Sequence, residues 1–483
     1  MPKKKKKSWK ESQHEMQVKQ QNAQKAHEMQ REKEAKRKPR QLPKGKILLV
    51  ISLIALILGV YAVWQYATTP VAQTPLTAIY IRANGSVEPT NASISNLENK
   101  YYTFTADIYG SIVIERDNIV VDGANYILQG HSTRNATGID LSARSNVTIT
   151  NMVLENFGCG IYLYSANNNV VSQNDLRNNN YAIEVDSSSN NTVYGNTITN
   201  SDGAIGLSQS SSNIITKNNL ESNTYSISLT SSSGNNISEN TITNSDGAIG
   251  LSQSRGNNIS GNQISYNQEC MLIDNSSGNN ISENTITNSD RAIALSQSDD
   301  NVITRNNLEK NTYSISSTAS SANNISENTI TNSDGAIALY QSDDNIITKN
   351  YLEKNTYGIS LTSSSVNNIS ENTVVSSSYA IALSHSSDNV VKENYLGGNG
   401  YGIQVTSSSD NILVHNSFVI NTYHVISSDS VNVWDDGLSS GGNYWVDYQN
   451  LYPDAKELDD SGKWDTPYVI DENNQDNYPL LTG

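Results

Sequence analysis

The sequence predicts an all-β fold, a right-handed parallel β-helix (solenoid) with 22-residue coils, and three observations carry that expectation. An Ile, Val or Leu recurs every 22 residues from Val171 to Leu413. Three residues after each stands an asparagine: Asn174, Asn196, Asn218, Asn240, Asn262, Asn284, Asn306, Asn328, Asn350, Asn372, Asn394 and Asn416. Two further apolar columns run in phase, one from Leu176 to Phe418 and one from Ile161 to Val425. A fixed period in this range marks a solenoid, in which each repeat buries its apolar face only against its neighbours.

The spacings give the shape of one coil. Pairs such as Ile205 and Leu207 or Ile227 and Leu229 have strand parity, because residues two apart point to the same face. Ile215 to Leu220 is five residues and Leu220 to Ile227 is seven, so no straight strand buries both ends and the chain must turn in each gap. Three short strands and three corners per coil follow. Asparagine suits such corners, since it tolerates the left-handed backbone region, and stacked asparagines can pair their amides along the axis. Helical repeats run longer, and the β-branched, Ser, Thr and Asn residues here disfavour helix. The hexapeptide β-helix, with its shorter coil, does not fit the period. At strand spacing the coils from Ile161 to Val425 make a rod of about 58 Å.

Five segments are expected in order. Residues 1–46 hold 13 Lys and 3 Arg against 5 Glu, a net of +11, so the remainder carries −27 of the chain's −16. This basic tail, rich in Gln, Glu, Lys and Ala, should be cytoplasmic and helical near a surface. Residues 47–66 read as one uncleaved transmembrane helix, because Ile47 to Trp64 is an uncharged apolar stretch just long enough to span a bilayer. The positive-inside rule places the N-terminus in the cytoplasm and the rest outside the cell. A cleaved secretory signal fits less well, for its basic region would be far too long. Beside a membrane the basic tail is expected to meet anionic lipid headgroups, and no nucleic acid partner is expected. Residues 67–79, with Pro70 and Pro75, form a stalk; 80–431 form the β-helix with its N-terminal cap; 432–483, with three Trp and many Asp, cap its far end.

Asn84, Asn91, Asn135, Asn146, Asn190, Asn236, Asn258, Asn275, Asn280, Asn324 and Asn368 each begin an N-x-S/T triplet. Such triplets arise by chance in a chain this rich in Asn and Ser, so they are compatible with export without proving it. Cys159 and Cys270 lie five coils apart, beyond the reach of a disulfide. Stability is expected from stacking.

Three stretches resemble one family: IVIERDNIVVDGANYILQG (112–130) followed by GIDLSARSNVTITNMVLEN (138–156), the repeat N-x-I-x-x-N-x-I, and the closing GGNYWVDY (441–448) with DTPYVIDENNQDNYPL (465–480). Together they make residues 80–483 similar to the NosD-like, CASH-domain right-handed β-helix proteins, especially the membrane-anchored surface forms common in archaea. The resemblance implies a copper-related role for the family's namesake. Copper needs clustered His, Cys or Met ligands, whereas His131, His385, His415 and His424 share no column, and Met152 and Met271 stand alone. Copper delivery is therefore not expected of this chain, and no cofactor is expected. Asp454, Asp459, Asp460 and Asp465 with Gly462 look like a degenerate calcium loop, interrupted by Lys463 and Trp464.

Glycosidic hydrolysis needs two carboxylates in one unique constellation. The conspicuous acids instead repeat every 44 residues, as Asp202, Asp246, Asp290 and Asp334, and as the pairs Asp299/Asp300 and Asp343/Asp344. They read as turn formers, so the sequence leans away from catalysis. A second period is more suggestive. The position two before the inward Ile alternates tyrosine with glycine: Tyr181, Gly203, Tyr225, Gly247, then Glu269, Arg291, Tyr313, Gly335, Tyr357, Tyr379, Tyr401 and Tyr423. Tyrosines on alternate coils stand about 10 Å apart, the length of two sugar rings. Either each tyrosine covers a corner while glycine makes room for it, or the stripe binds carbohydrate by stacking. The expectation is a membrane-anchored surface protein that binds polysaccharide or glycoprotein; the alternatives are a polysaccharide-modifying enzyme and a structural spacer.

Overall fold

A computed structural model describes residues 77–131 and 136–482. The basic tail, the 47–66 span, nearly all of the stalk and the acceptor Asn135 lie outside the described residues. Among the described residues no helix is long and apolar enough to cross a membrane.

The described chain winds into a parallel β-helix of the right-handed type with about 15 turns. A typical coil has strands Tyr181–Asp186, Thr192–Tyr194 and Thr197–Thr199, each pairing in parallel with the strand 22 residues on. The middle strands build one 16-stranded sheet. The long and the last strands build two ladders that fuse at Ile108–Ile114, which pairs with both Ile127–Gln129 and Thr137–Asp140. The predicted stalk overlaps the first strand, Thr77–Ile81, which already pairs in parallel with Ile108–Ile114.

The three apolar columns form one continuous buried core. In the long strands the alternation is broken: Tyr225 is exposed, Ser226 and Ile227 are both buried, Ser228 is exposed, Leu229 buried and Thr230 exposed. Register skips the second residue, so the strand bends there and must carry something small: Ala182, Ala204, Ser226, Ala248, Cys270 and Ala292 occupy the place in turn. Both cysteines are free.

The corners differ in one respect from the sequence reading. The left-handed residue at the corner is not the repeating asparagine but the one before it, Gly195, Lys217, Glu239 or Arg305, at φ near 60°. Its strained N–H bonds to the next coil, as from Lys217 to the Ser238 carbonyl at 3.2 Å. The asparagine itself points inward and is buried. Asn284 donates its backbone N–H and its Nδ2 to Asn306 Oδ1, both at 3.0 Å, and its Nδ2 also to the Ile259 carbonyl. Identical bonds repeat from Asn174 to Asn416.

Three further internal ladders accompany this one. Asn169 through Asn411 form a second asparagine ladder, Ser188 through Ser430 a serine ladder, and Asn179, Ser201, Asn223, Ser245 and their successors an alternating one. At the C-terminal end the segment from 432 supplies the next rungs. Asn416 donates to Asn443 Oδ1, and Asn443 N donates to Asp476 Oδ2 at 2.7 Å. Asn411 donates to Asn432 Oδ1, and Asn432 N donates to Asn474 Oδ1. Trp445 stacks on Phe418 of the last full coil at 4.3 Å and on Tyr468 at 4.0 Å. The closing motif thus ends the ladders in acceptors and covers the core in aromatic rings.

Candidate functional site

The bend in the long strands turns their outer face into a trough of about 740 Å³. Its floor is a column of small residues, Ser228, Gly250, Ala294 and Ser316, from which Leu272 stands out, 40% exposed. One wall is the predicted column, represented by Tyr181, Gly203, Tyr225 and Arg291; the other is Thr230, Ser252, Asp274, Ser296 and Thr318. Hydroxyls and carbon surface therefore alternate along an open channel parallel to the axis.

The seven predicted tyrosines share one outward column but fall into two arrangements. Each of Tyr181, Tyr225 and Tyr313 lies against the glycine of the next coil. A Cβ on Gly203, Gly247 or Gly335 would stand 2.7, 2.9 or 3.0 Å from the Cδ1 of that ring. Tyr357, Tyr379, Tyr401 and Tyr423 instead stack on each other, with centroids 4.9, 4.7 and 5.3 Å apart and planes within 13°. Their faces are largely occupied by one another. Only Tyr181 and Tyr225 of the seven line the trough.

Glu269 and Arg291, which interrupt the column, are joined by an ion pair across the coils. The repeating acids Asp202, Asp246, Asp290 and Asp334 are exposed at corners, and Asp299 and Asp343 accept backbone N–H groups from Ser321 and Ser365. Sequence reasoning passed over the opposite wall and two further acids, Glu184 and Asp186, two apart on the strand of Tyr181; Asp186 lies in the wall's own column, four coils before Asp274. Outward parity counted from the inward isoleucines, such as Ile183 and Ile227, would have found all of these, whereas counting from the tyrosines fails at the bend. Burial, with Asp186 nearby, holds the Glu184 carboxyl above the usual carboxylate range, although Cys159 bonds to it in opposition. Burial pushes the Cys159 thiol well up.

The acidic residues near the C-terminus form a turn. Asp459 and Asp460 occupy left-handed positions, and Asp465 Oδ1 accepts from Lys456 N at 3.0 Å and from Thr466 Oγ1. Backbone and side-chain bonds hold the Asp465 carboxyl below its ordinary value. Among the described residues no three His, Cys, Asp or Glu side chains come together as metal ligands, so Asp454, Asp459, Asp460 and Asp465 are not gathered around one point.

A family profile described as "Periplasmic copper-binding protein (NosD)" matches residues 77–269, 158–319 and 292–450. No curated protein matches the chain. Solved structures similar to it include a tailspike mutant of E. coli bacteriophage HK620 in complex with a hexasaccharide (11% identity, 67% of this chain and 73% of that one, TM-score 0.44). Others are DFA-IIIase from Arthrobacter chlorophenolicus A6 in complex with GF2 (12%, 65% and 93%, 0.40) and an exopolygalacturonase from Thermotoga maritima (12%, 52% and 78%, 0.36). None of the three bears on substrate or chemistry here. The family description names copper, and the donors among the described residues do not gather to fit it. His385 lies at a corner beside Ser384, His424 pairs with Asp447 at 3.3 Å, and Met152 and Met271 are buried singly in the core.

Proposed function

From membership of the NosD family, to which this chain belongs, we propose that the protein is a glycan-binding β-helix whose ligand lies along the trough between Tyr181 and Thr318. The observation that carries this reading is the trough's lining. Small floor residues admit a flat chain, Tyr181 and Tyr225 offer aromatic carbon to sugar faces, and the Ser and Thr wall offers hydroxyls to sugar hydroxyls. The basic tail followed by an uncharged 18-residue stretch, Ile47 to Trp64, supports a single membrane anchor with the β-helix on the outer side and lipid headgroups at the tail. On this reading the partner is a surface polysaccharide or glycoprotein, and the protein serves adhesion or envelope organisation.

A second reading, a polysaccharide hydrolase, is favoured by Glu184 and Asp186. The first is held toward its protonated form by burial and the second shares its strand face, so two carboxyls lie side by side, as glycosidic cleavage requires. A glycan screen on the whole chain, read for binding and for release of reducing ends, separates the readings. Binding abolished in a Tyr181→Ala/Tyr225→Ala double variant, with no reducing ends released, is the expected result. Undiminished binding in that variant refutes the trough, and reducing-end release lost in Glu184→Gln establishes the enzyme.

A further inference from the structure

We propose that Arg291 makes the trough selective for glycans that carry a uronic acid carboxylate among neutral sugars; this rests on the glycan-binding reading above. The column from Tyr181 to Tyr423 is tyrosine or glycine except at Glu269 and Arg291. By the alternation these two places should hold a tyrosine and the glycine beneath it, so both members of one pair are exchanged together. Loss of the ring at 269 leaves room for a long side chain at 291.

Stability does not account for the exchange. Arg291 is half exposed, and a surface ion pair contributes little, on the order of 0–1 kcal/mol. The other tyrosine–glycine pairs show that the fold accepts the simpler solution at this position. What the exchange adds is chemistry. Among the described residues Arg291 is the only basic one lining the trough, and of its five N–H donors the bond to Glu269 engages one. The anchored guanidinium keeps a fork of free donors at the wall, the geometry that takes a carboxylate through two parallel bonds. A densely charged polymer fits poorly, because Asp274 faces the same trough and the chain outside the basic tail is strongly acidic. One acidic unit flanked by neutral sugars suits one arginine flanked by hydroxyls.

The test is titration calorimetry of the whole chain with a panel of oligosaccharides that each carry one uronate, every member paired with its carboxyl-reduced form. The wild type should prefer the acidic member of a pair. Arg291→Gln should weaken the acidic member about tenfold and leave the reduced form unchanged. Glu269→Gln, which frees the guanidinium from its competitor, should strengthen the acidic member. A merely structural pair would make both substitutions act in the same direction on both ligands, and that result overturns the proposal. Equal affinity for both members of every pair also overturns it while leaving the glycan reading intact. Failure of every member to bind refutes the glycan reading itself.

Discussion

Replacing one rung of the buried asparagine ladder should cost more than any surface change on the same coil. Asn306 is the worked case. Its Oδ1 accepts Asn284 N and Asn284 Nδ2, both at 3.0 Å. Its Nδ2 donates to the Ile281 carbonyl at 2.9 Å, the Thr304 carbonyl at 3.2 Å and Asn328 Oδ1 at 3.0 Å. In Asn306→Ala the backbone N–H of residue 306 survives, so Asn328 keeps one donor. Asn284 fares worse, because its backbone N–H and one amide proton are left in a site with no exposure and no acceptor. At about 1–3 kcal/mol for each orphaned buried donor, the loss is about 2–6 kcal/mol before any void is counted. Asn307→Ala is the control, since Asn307, the next residue, begins the following strand and faces solvent.

A long solenoid does not unfold in one step, so a single denaturation midpoint is a poor reporter. Amide hydrogen exchange is better. The Asn284 amide should lose protection by a factor matching the energy, a hundredfold for about 2.7 kcal/mol, and the effect should fade within a few coils on either side. If Asn306→Ala and Asn307→Ala change exchange at Asn284 equally, or if neither moves it tenfold, the ladder does not hold the coils together as argued.

Three further outcomes follow from the geometry. In Gly203→Ala the new methyl meets the Tyr181 ring at 2.7 Å and swings it off its seat; glycan affinity should fall severalfold while far-UV circular dichroism stays unchanged. Burial pushes the Asp476 carboxyl from its ordinary 3.8 up to about 6, so the folded state favours its protonated form. The stability tied to it is fully present below about pH 4 and is lost as pH rises through about 6, a difference of about 3 kcal/mol at the C-terminal cap. Melting followed by tryptophan fluorescence should show that slope, and Asp476→Asn should flatten it. Phe418→Ala removes the ring on which Trp445 stacks and should destabilise the cap by about 3–5 kcal/mol, seen as protease cleavage near residue 432 well before the central coils.

Most of the architecture was legible because stacking repeats every constraint a dozen times. A single Ile proves nothing, but Ile215, Ile237 and Ile259 at one spacing demand one environment. The same redundancy hid the rest. The inward aim of Asn306 and the strain of Arg305 before it share one corner, and spacing does not say which of two neighbours takes the left-handed backbone. The Ser188 ladder was invisible because serine fills the surface of this chain as freely as its interior. The tyrosines were found by their period, whereas Leu272 and Glu184 each occur once in their column and leave no periodic trace. Unique residues carry specificity, and a reading built on recurrence passes over them.

The tyrosine column itself argues that the trough is more than a by-product of packing. Inside the corner, the third ladder alternates Asn179, Ser201, Asn223 and Ser245 in phase with Tyr181, Gly203, Tyr225 and Gly247 outside. If the inner alternation dictated the outer one, glycine would accompany every serine. It does not: Ser377 is followed by Tyr379, whose ring stacks between Tyr357 and Tyr401. The fold therefore accepts a tyrosine on every coil, and the glycines at 203, 247 and 335 are not forced by the core. Where glycine is kept, alternate rings stand apart, and Tyr225 is 62% exposed, against 41% for Tyr357 at the head of the stack. The trough lies along the alternating half of the column and not along the stacked half. Filling Gly203 and Gly247 with tyrosine should thus preserve the β-helix, since the stack from Tyr357 shows the packing to be available, yet close the wall and abolish ligand binding. Loss of the fold in that double variant would show instead that the glycines serve packing alone.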